Sequence, residues 1–270
     1  MKWIVNMKVK KYIVNWSNQD IHTKYMDVTV DIKIKDTNCM LMLEGNQNIE
    51  DVFRLIWELL SLYDGYFYEP ISYEVDGILK DREELIKLGY FRTDKKWYES
   101  ELIGRSKRDL STDIIEKYYK FRNEGIADKK MTKSVINAFY YLKSKDYEKI
   151  NVNHRLSLLL NIADGFIINT FRKTNNVKGS LDKLFKETVD IQKLKNGISL
   201  LGIDEEKFKY ILSEERHMFD HYIYKEDSLA TFVYNGNEKI LDYATWYFVY
   251  VLELVIRINI LKETGVTLNQ

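Results

Sequence analysis

The chain has 270 residues, 45% of them hydrophobic, which is enough for one large domain or two ordinary ones with real cores. Its 41 basic and 41 acidic side chains cancel, which excludes bulk attraction to a polyanion, so any nucleic-acid contact must come from a local basic patch. The single cysteine, Cys39, excludes an internal disulfide framework and a cysteine-based zinc site, and fits a reducing cytoplasm.

The first residues, MKWIVNMKVKKY, do not form a signal peptide, because Asn6, Lys8 and Lys10 interrupt the apolar run and no small-residue cleavage site follows. Residues 2–15 are expected to supply an earlier strand or two. Val28, Val30, Ile32 and Ile34 alternate with Thr29, Asp31, Lys33 and Lys35, the period of a half-buried strand. Asp36-Thr37-Asn38 offers turn chemistry, and Cys39 to Leu43 returns as a second strand. A helix follows. Asn48 can cap it, Glu50 and Asp51 lie in its first turn, and Ile49, Val52, Phe53, Ile56, Leu60 and Tyr63 recur at helical spacing up to Gly65. Residues 65–75 are aromatic and β-prone, with Pro70 marking an edge or a break.

Residues 99–112 are polar, hold Gly104 and a small basic cluster (Arg105, Lys107, Arg108), and read as a linker. Beyond it strand signals fade and helical patterns succeed one another. Ile114, Ile115, Tyr118, Tyr119 and Phe121 mark one helix, and Met131, Val135, Ala138, Phe139 and Leu142 a second. Residues 155–171 are apolar nearly all round, as in a central helix. Leu181, Leu184, Phe185, Thr188 and Ile191 mark a fourth, residues 204–224 a fifth and residues 240–261 the last. Within that last stretch Glu253, Arg257 and Asn259 argue for a buried helix, not a membrane span. The scarcity of proline (Pro70 alone) suits long helices. The fold class expected is an α+β N-terminal domain, residues 1–105, followed by an all-α bundle, residues 106–270.

There are four histidines, and two of them fall in one segment, Arg216-His217-Met218-Phe219-Asp220-His221-Tyr222. Its helix is expected to bury Phe208, Ile211, Leu212, Phe219 and Tyr222, crowding ionisable groups beside a core face, where perturbed titration tends to arise. Two chemical readings compete, beside a bland one. His217 and His221 share a helix face as two zinc ligands would, but Met218 stands where a metalloprotease motif needs glutamate. Arg216 and His221 instead match what a ribonuclease needs: a forked, permanently charged clamp for a phosphate, and a group that titrates near neutrality and can move the proton of a ribose 2′-OH. The bland reading makes Arg216 an ordinary ion-pair partner of Asp220, one turn on. His22 and His154 read as structural or surface residues. Tyr222 and Tyr224 can stack on unpaired bases. Arg172, Lys173 and Lys178 read as a solvated helix end rather than a phosphate patch.

Arg216 to His221 resembles the motif of HEPN ribonucleases: arginine, a polar residue, three variable residues, histidine. A helical context, Tyr222 directly after His221 and a long apolar closing helix are similar to the ApeA-like branch, found in bacterial anti-phage abortive-infection proteins. The resemblance covers roughly residues 110–265. The branch often has asparagine after the arginine and an acidic residue soon after His-Tyr, where this chain has His217, Ile223 and Tyr224. What the resemblance implies is a metal-independent, cofactor-free endoribonuclease, cytoplasmic and a homodimer through the helical domain, acting on RNA. Arg216 would hold the scissile phosphate, His221 would serve as base or acid, and His217 and Tyr222 would support them. Asp164, on a largely apolar stretch of an earlier helix, would pair with Arg216. The N-terminal domain would meet a phage-derived trigger or a regulatory partner. A non-catalytic dimerisation or RNA-binding module, and a hydrolase with metal on His217 and His221, are the other expectations.

Overall fold

A computed structural model of the chain describes residues 1–8, 19–35, 38–64, 69–81, 84–85, 110–124, 155–163, 185–186, 198–199, 202–212, 232–234, 237–239 and 245–266. The chain forms two compact units. One comprises Met1–Phe121, Lys143–Asp146 and Leu261–Asn269; the other comprises Arg122–Leu142 and Tyr147–Ile260, with Gln270.

The first unit is built on six antiparallel strands, β1 (Lys2–Lys8), β2 (Gln19–Tyr25), β3 (Val28–Lys35), β4 (Asn38–Glu44), β5 (Glu69–Val75) and β6 (Ile78–Lys80), in the order β2-β3-β4-β1-β5-β6. The alternation expected for β3 is observed: Val28, Val30, Ile32 and Ile34 are all buried, and the last three pair across to Leu43, Leu41 and Cys39 of β4, which face the same way. Trp3, Val5 and Met7 of β1 extend this apolar face. Against it lies helix α1 (Ile49–Asp64), with Phe53 and Tyr73 both ringed on Trp3 at centroid distances of 6.1 and 5.0 Å. The predicted stripe of α1 is buried, and so are Leu55, Trp57, Glu58, Leu59 and Leu62 on its other flank. The helix is therefore covered on both sides. Helix α2 (Thr112–Glu124) supplies one cover, its Tyr118 hydroxyl donating to the Glu58 carboxylate at 2.7 Å in the unit's interior. Ser111 caps α2, and the Thr112 hydroxyl ties that end to the Lys24 carbonyl at the end of β2.

The entry to α1 works differently from the expected Asn48 cap. Asn48 sits at φ +62° and turns its side-chain amide to Asp27, in the two-residue turn between β2 and β3. The Asp27 carboxylate also accepts the backbone N–H groups of Asn46 and Gln47, at 3.0 and 2.7 Å. These bonds, led by that from Gln47, hold its carboxyl below the ordinary value of 3.8. A lowered folded-state pKa stabilises the fold above the unfolded value, and the contribution is lost as pH falls through the folded value. Asp27→Asn should therefore melt at a lower temperature than wild type at pH 7, and the difference should narrow when both are measured near pH 3.

Gly45 lies where this loop crosses the β2–β3 turn. A Cβ there would meet the Asp27 carbonyl oxygen at 2.9 Å and the Val28 backbone at 3.2 Å. Since the obstacles are mainly backbone, Gly45→Ala is expected to cost about 1–3 kcal/mol in chemical denaturation; an unchanged midpoint would mean the loop moves freely aside.

Pro70 lies in β5, buried opposite Met7, and a register shift between Asn6 and Met7 leaves Ile71 as the extra, half-exposed residue of a bulge. Asp76-Gly77, both at positive φ, then form the two-residue turn into β6.

In the second unit the expectation of an all-helical bundle is corrected. Strands β7 (Phe232–Tyr234) and β8 (Asn237–Lys239) pair antiparallel there, Tyr234 opposite Asn237, between two helical stretches. The sequence holds the reason. Phe232-Val233-Tyr234 is β-branched and aromatic, and Asn235-Gly236 is the strongest short hairpin signal. The helices described are residues 155–163 (α3), residues 205–212 (α4) and α5 (Thr245–Glu263). Asp204 caps α4, its carboxylate accepting the Lys207 N–H at 2.7 Å. At the end of α5, which falls in the first unit, Val266 N–H reaches Leu261 C=O and Gly265 N–H reaches Lys262 C=O, with Gly265 at φ +76°, the paired bonds of a Schellman stop.

Candidate functional site

Phe208, Ile211 and Leu212 of α4 are buried, as their spacing predicts. The Phe208 ring stacks on Phe248 of α5, 4.6 Å between centroids and 11° between planes, and the Phe185 ring lies tilted against Phe208 at 5.7 Å. The exposed side of α4 carries Glu206, Lys207 and Tyr210. Lys209 is nearly buried, yet its ammonium reaches Glu205 and Glu206 at 3.2 and 2.5 Å, a long stem lying on apolar surface with its head at the edge.

The residues singled out for chemistry follow these helices in the chain. Arg216, His217, His221, Tyr222 and Tyr224 come after α4, and Asp164 comes directly after the described part of α3. All six lie outside the described residues, as do His154 and the basic residues Arg172, Lys173 and Lys178. The Arg216–Asp164 and Arg216–Asp220 pairings and the His217–His221 metal pair therefore fall outside as well.

A buried charge cluster that the sequence does not advertise as a site lies between α3 and α5. Arg155 is fully buried and Glu253 is 7% exposed, with Arg155 Nη1 and Glu253 Oε1 3.6 Å apart. Arg257, one turn beyond Glu253, is also buried, as is Asn259, whose amide donates to the Val255 carbonyl. The signal was present: charged residues on helices that are otherwise apolar must find partners, because an isolated ion in the interior is prohibitively costly. All of residues 251–261 are buried. Residues 251–261 of α5 are thus covered within the chain.

In the first unit the His22 ring meets the Asp31 carboxylate directly across β2 and β3, an exposed cross-strand contact on the open face of the sheet. Burial, with Glu84 and Glu50 adding to it, pushes the Tyr73 phenol up to about 12, so it is a neutral core group. Among the described residues no three His, Cys, Asp or Glu side chains gather as a metal-ligand set. Among them too, no helix is long and apolar enough to cross a membrane.

No family model, no curated protein and no solved structure matches this chain.

Proposed function

We propose that this chain is a metal-independent endoribonuclease of the HEPN type, acting in the cytoplasm in anti-phage defence, with Arg216 and His221 as its catalytic pair. One observation carries the reading: arginine and histidine stand five residues apart, with His217 and Tyr222 beside them, in a segment that follows directly on a helix anchored by Phe208, Ile211 and Leu212. A catalytic pair needs such an anchored base to hold its geometry.

In this reading the Arg216 guanidinium grips two oxygens of the scissile phosphate and stabilises the charge that builds there. The His221 imidazole takes the proton from the ribose 2′-OH. The 2′ oxygen bonds to phosphorus, the bond from phosphorus to the 5′ oxygen breaks, and that oxygen takes a proton from the same histidine of a second copy. The products are a 2′,3′-cyclic phosphate and a 5′-hydroxyl. Asp164 orients Arg216, His217 and Tyr222 line the site, and Tyr224 offers a stacking surface for a base. The sheet unit serves as the sensor for a phage-derived trigger.

The test is expression of wild type, Arg216→Ala and His221→Ala in a bacterial host at matched protein levels, with and without phage challenge. The reading expects restriction of phage and cut cellular RNA with the wild type alone. Equal behaviour of all three would assign the motif a structural role and the chain a binding one.

A further inference from the structure

We propose that β6 is a dimerisation edge, on which a second copy of this chain lays its own β6 antiparallel, making one sheet continuous across a twofold axis. The inference bears on the nuclease reading, which also calls for a second copy: a dimer that survives in a folded Leu79→Lys variant would overturn the β6 edge alone, whereas a wild type that stays a single chain would overturn both.

The two edges of the sheet differ in chemistry. Along β2 the exposed residues are Asp20, His22 and Lys24, and charge on an edge strand is a common guard against strand addition. Along β6 every residue is exposed, and Ile78 and Leu79 are open at 63% and 69%, with Lys80 the only charge. The strand is short, but it is held firmly. Its turn, Asp76-Gly77, is fastened to β1 by Asp76 N–H donating to the Lys2 carbonyl at 2.8 Å and by Lys2 N–H donating to the Asp76 carboxylate at 2.7 Å. An edge already fixed in the extended form costs little further ordering on association.

The backbone says what kind of partner fits. In a two-residue hairpin the pair flanking the turn, here Val75 and Ile78, exchanges both of its hydrogen bonds. Leu79, the next residue, therefore turns its N–H and C=O away from β5, to the side where no described strand pairs. An extended backbone satisfies both groups at once. The sequence of β6 says why that backbone can be its own. In the antiparallel register centred on Leu79, the leucine faces Leu79 of the second copy, each exchanging N–H and C=O with the other. Ile78 faces Lys80, whose stem can cover it, and Gly77 faces Asp81. No like charges meet. Because the far edge of each sheet is the charged β2, the pairing closes at two copies.

Sedimentation equilibrium on the full chain tests this. Wild type is expected at twice the chain mass. Leu79→Pro, which removes the outward N–H, and Leu79→Lys, which adds a facing pair of like charges, are both expected at the mass of one chain with an unchanged circular dichroism spectrum. Leu158→Lys, at a comparably exposed leucine of the second unit (45%), is expected to stay dimeric. A wild type that remains a single chain at the highest concentration, or a dimer that survives in a folded Leu79→Lys variant, would overturn the proposal.

Discussion

Purified Arg216→Ala and His221→Ala are each expected to cleave RNA far more slowly than wild type while melting at the same temperature. Removing a phosphate clamp that acts on developing charge costs about 10²–10³-fold in rate. Removing a positioned general base costs about 10²–10⁴-fold. The two losses should not add, because a base without an oriented phosphate, or a clamp without a base, achieves little alone. Arg216→Lys separates charge from shape. An ammonium keeps the charge but lacks the two-pronged fork, so this variant should recover only part of the loss. His217→Ala should be milder than either. A His221→Ala enzyme within a few-fold of wild type would remove this histidine from the chemistry. Loss of activity together with a large fall in melting temperature would make the pair structural.

Glu253→Ala is expected to destabilise the second unit by about 3–5 kcal/mol, because Arg155 would keep its charge in the interior without the carboxylate beside it. The cost lies in a buried charge left with one partner fewer, more than in the lost attraction. Replacing both partners therefore gives the sharper result: Arg155→Met combined with Glu253→Met should be far closer to wild type than Glu253→Ala alone. Denaturant titration of the four proteins in the cycle yields the coupling directly. If Glu253→Ala is as stable as wild type, the carboxylate is not what compensates Arg155.

Much of the first unit was legible because its periods are clean. Val28 to Ile34 alternate without a break, and the α1 stripe from Ile49 to Tyr63 recurs at helical spacing. What was not legible arose where a distant group changes a local rule. Asn48 has the composition of a cap, but Asp27, from the neighbouring turn, claims its side chain. Strand β2 escaped notice because Ile21, Thr23 and Tyr25 alternate with three charged or titratable residues over too short a run, and its turn, Met26-Asp27, is an unusual one. Asp76-Gly77 and Asn235-Gly236 are different. Both dipeptides announce a hairpin, and the second contradicts an all-helical reading on its own terms.

The last helix illustrates a further limit. A helix apolar on every side has no preferred face, so its pattern tells of burial without naming what covers it. Residues 251–261 announce burial in this way, and Arg155 of α3, 3.6 Å from Glu253, is one of the groups that cover them. In the candidate site, the packing of Phe208, Ile211 and Leu212 could be read in advance because it depends on spacing alone. The meeting of Arg216, His221 and Asp164 that the nuclease reading proposes lies outside the described residues and would depend on tertiary geometry, which a linear pattern does not encode.

The chemistry of the RNA ends distinguishes a metal-independent Arg216–His221 ribonuclease from every other reading of this chain. RNA from phage-challenged cells expressing wild type, and RNA exposed to lysates of those cells in EDTA, would be mapped for new 3′ ends and compared with the His221→Ala strain. The account predicts 2′,3′-cyclic phosphate ends that form in the chelator and are missing from the variant. New ends bearing 3′-hydroxyls, cleavage abolished by EDTA, or no new ends relative to His221→Ala would contradict it.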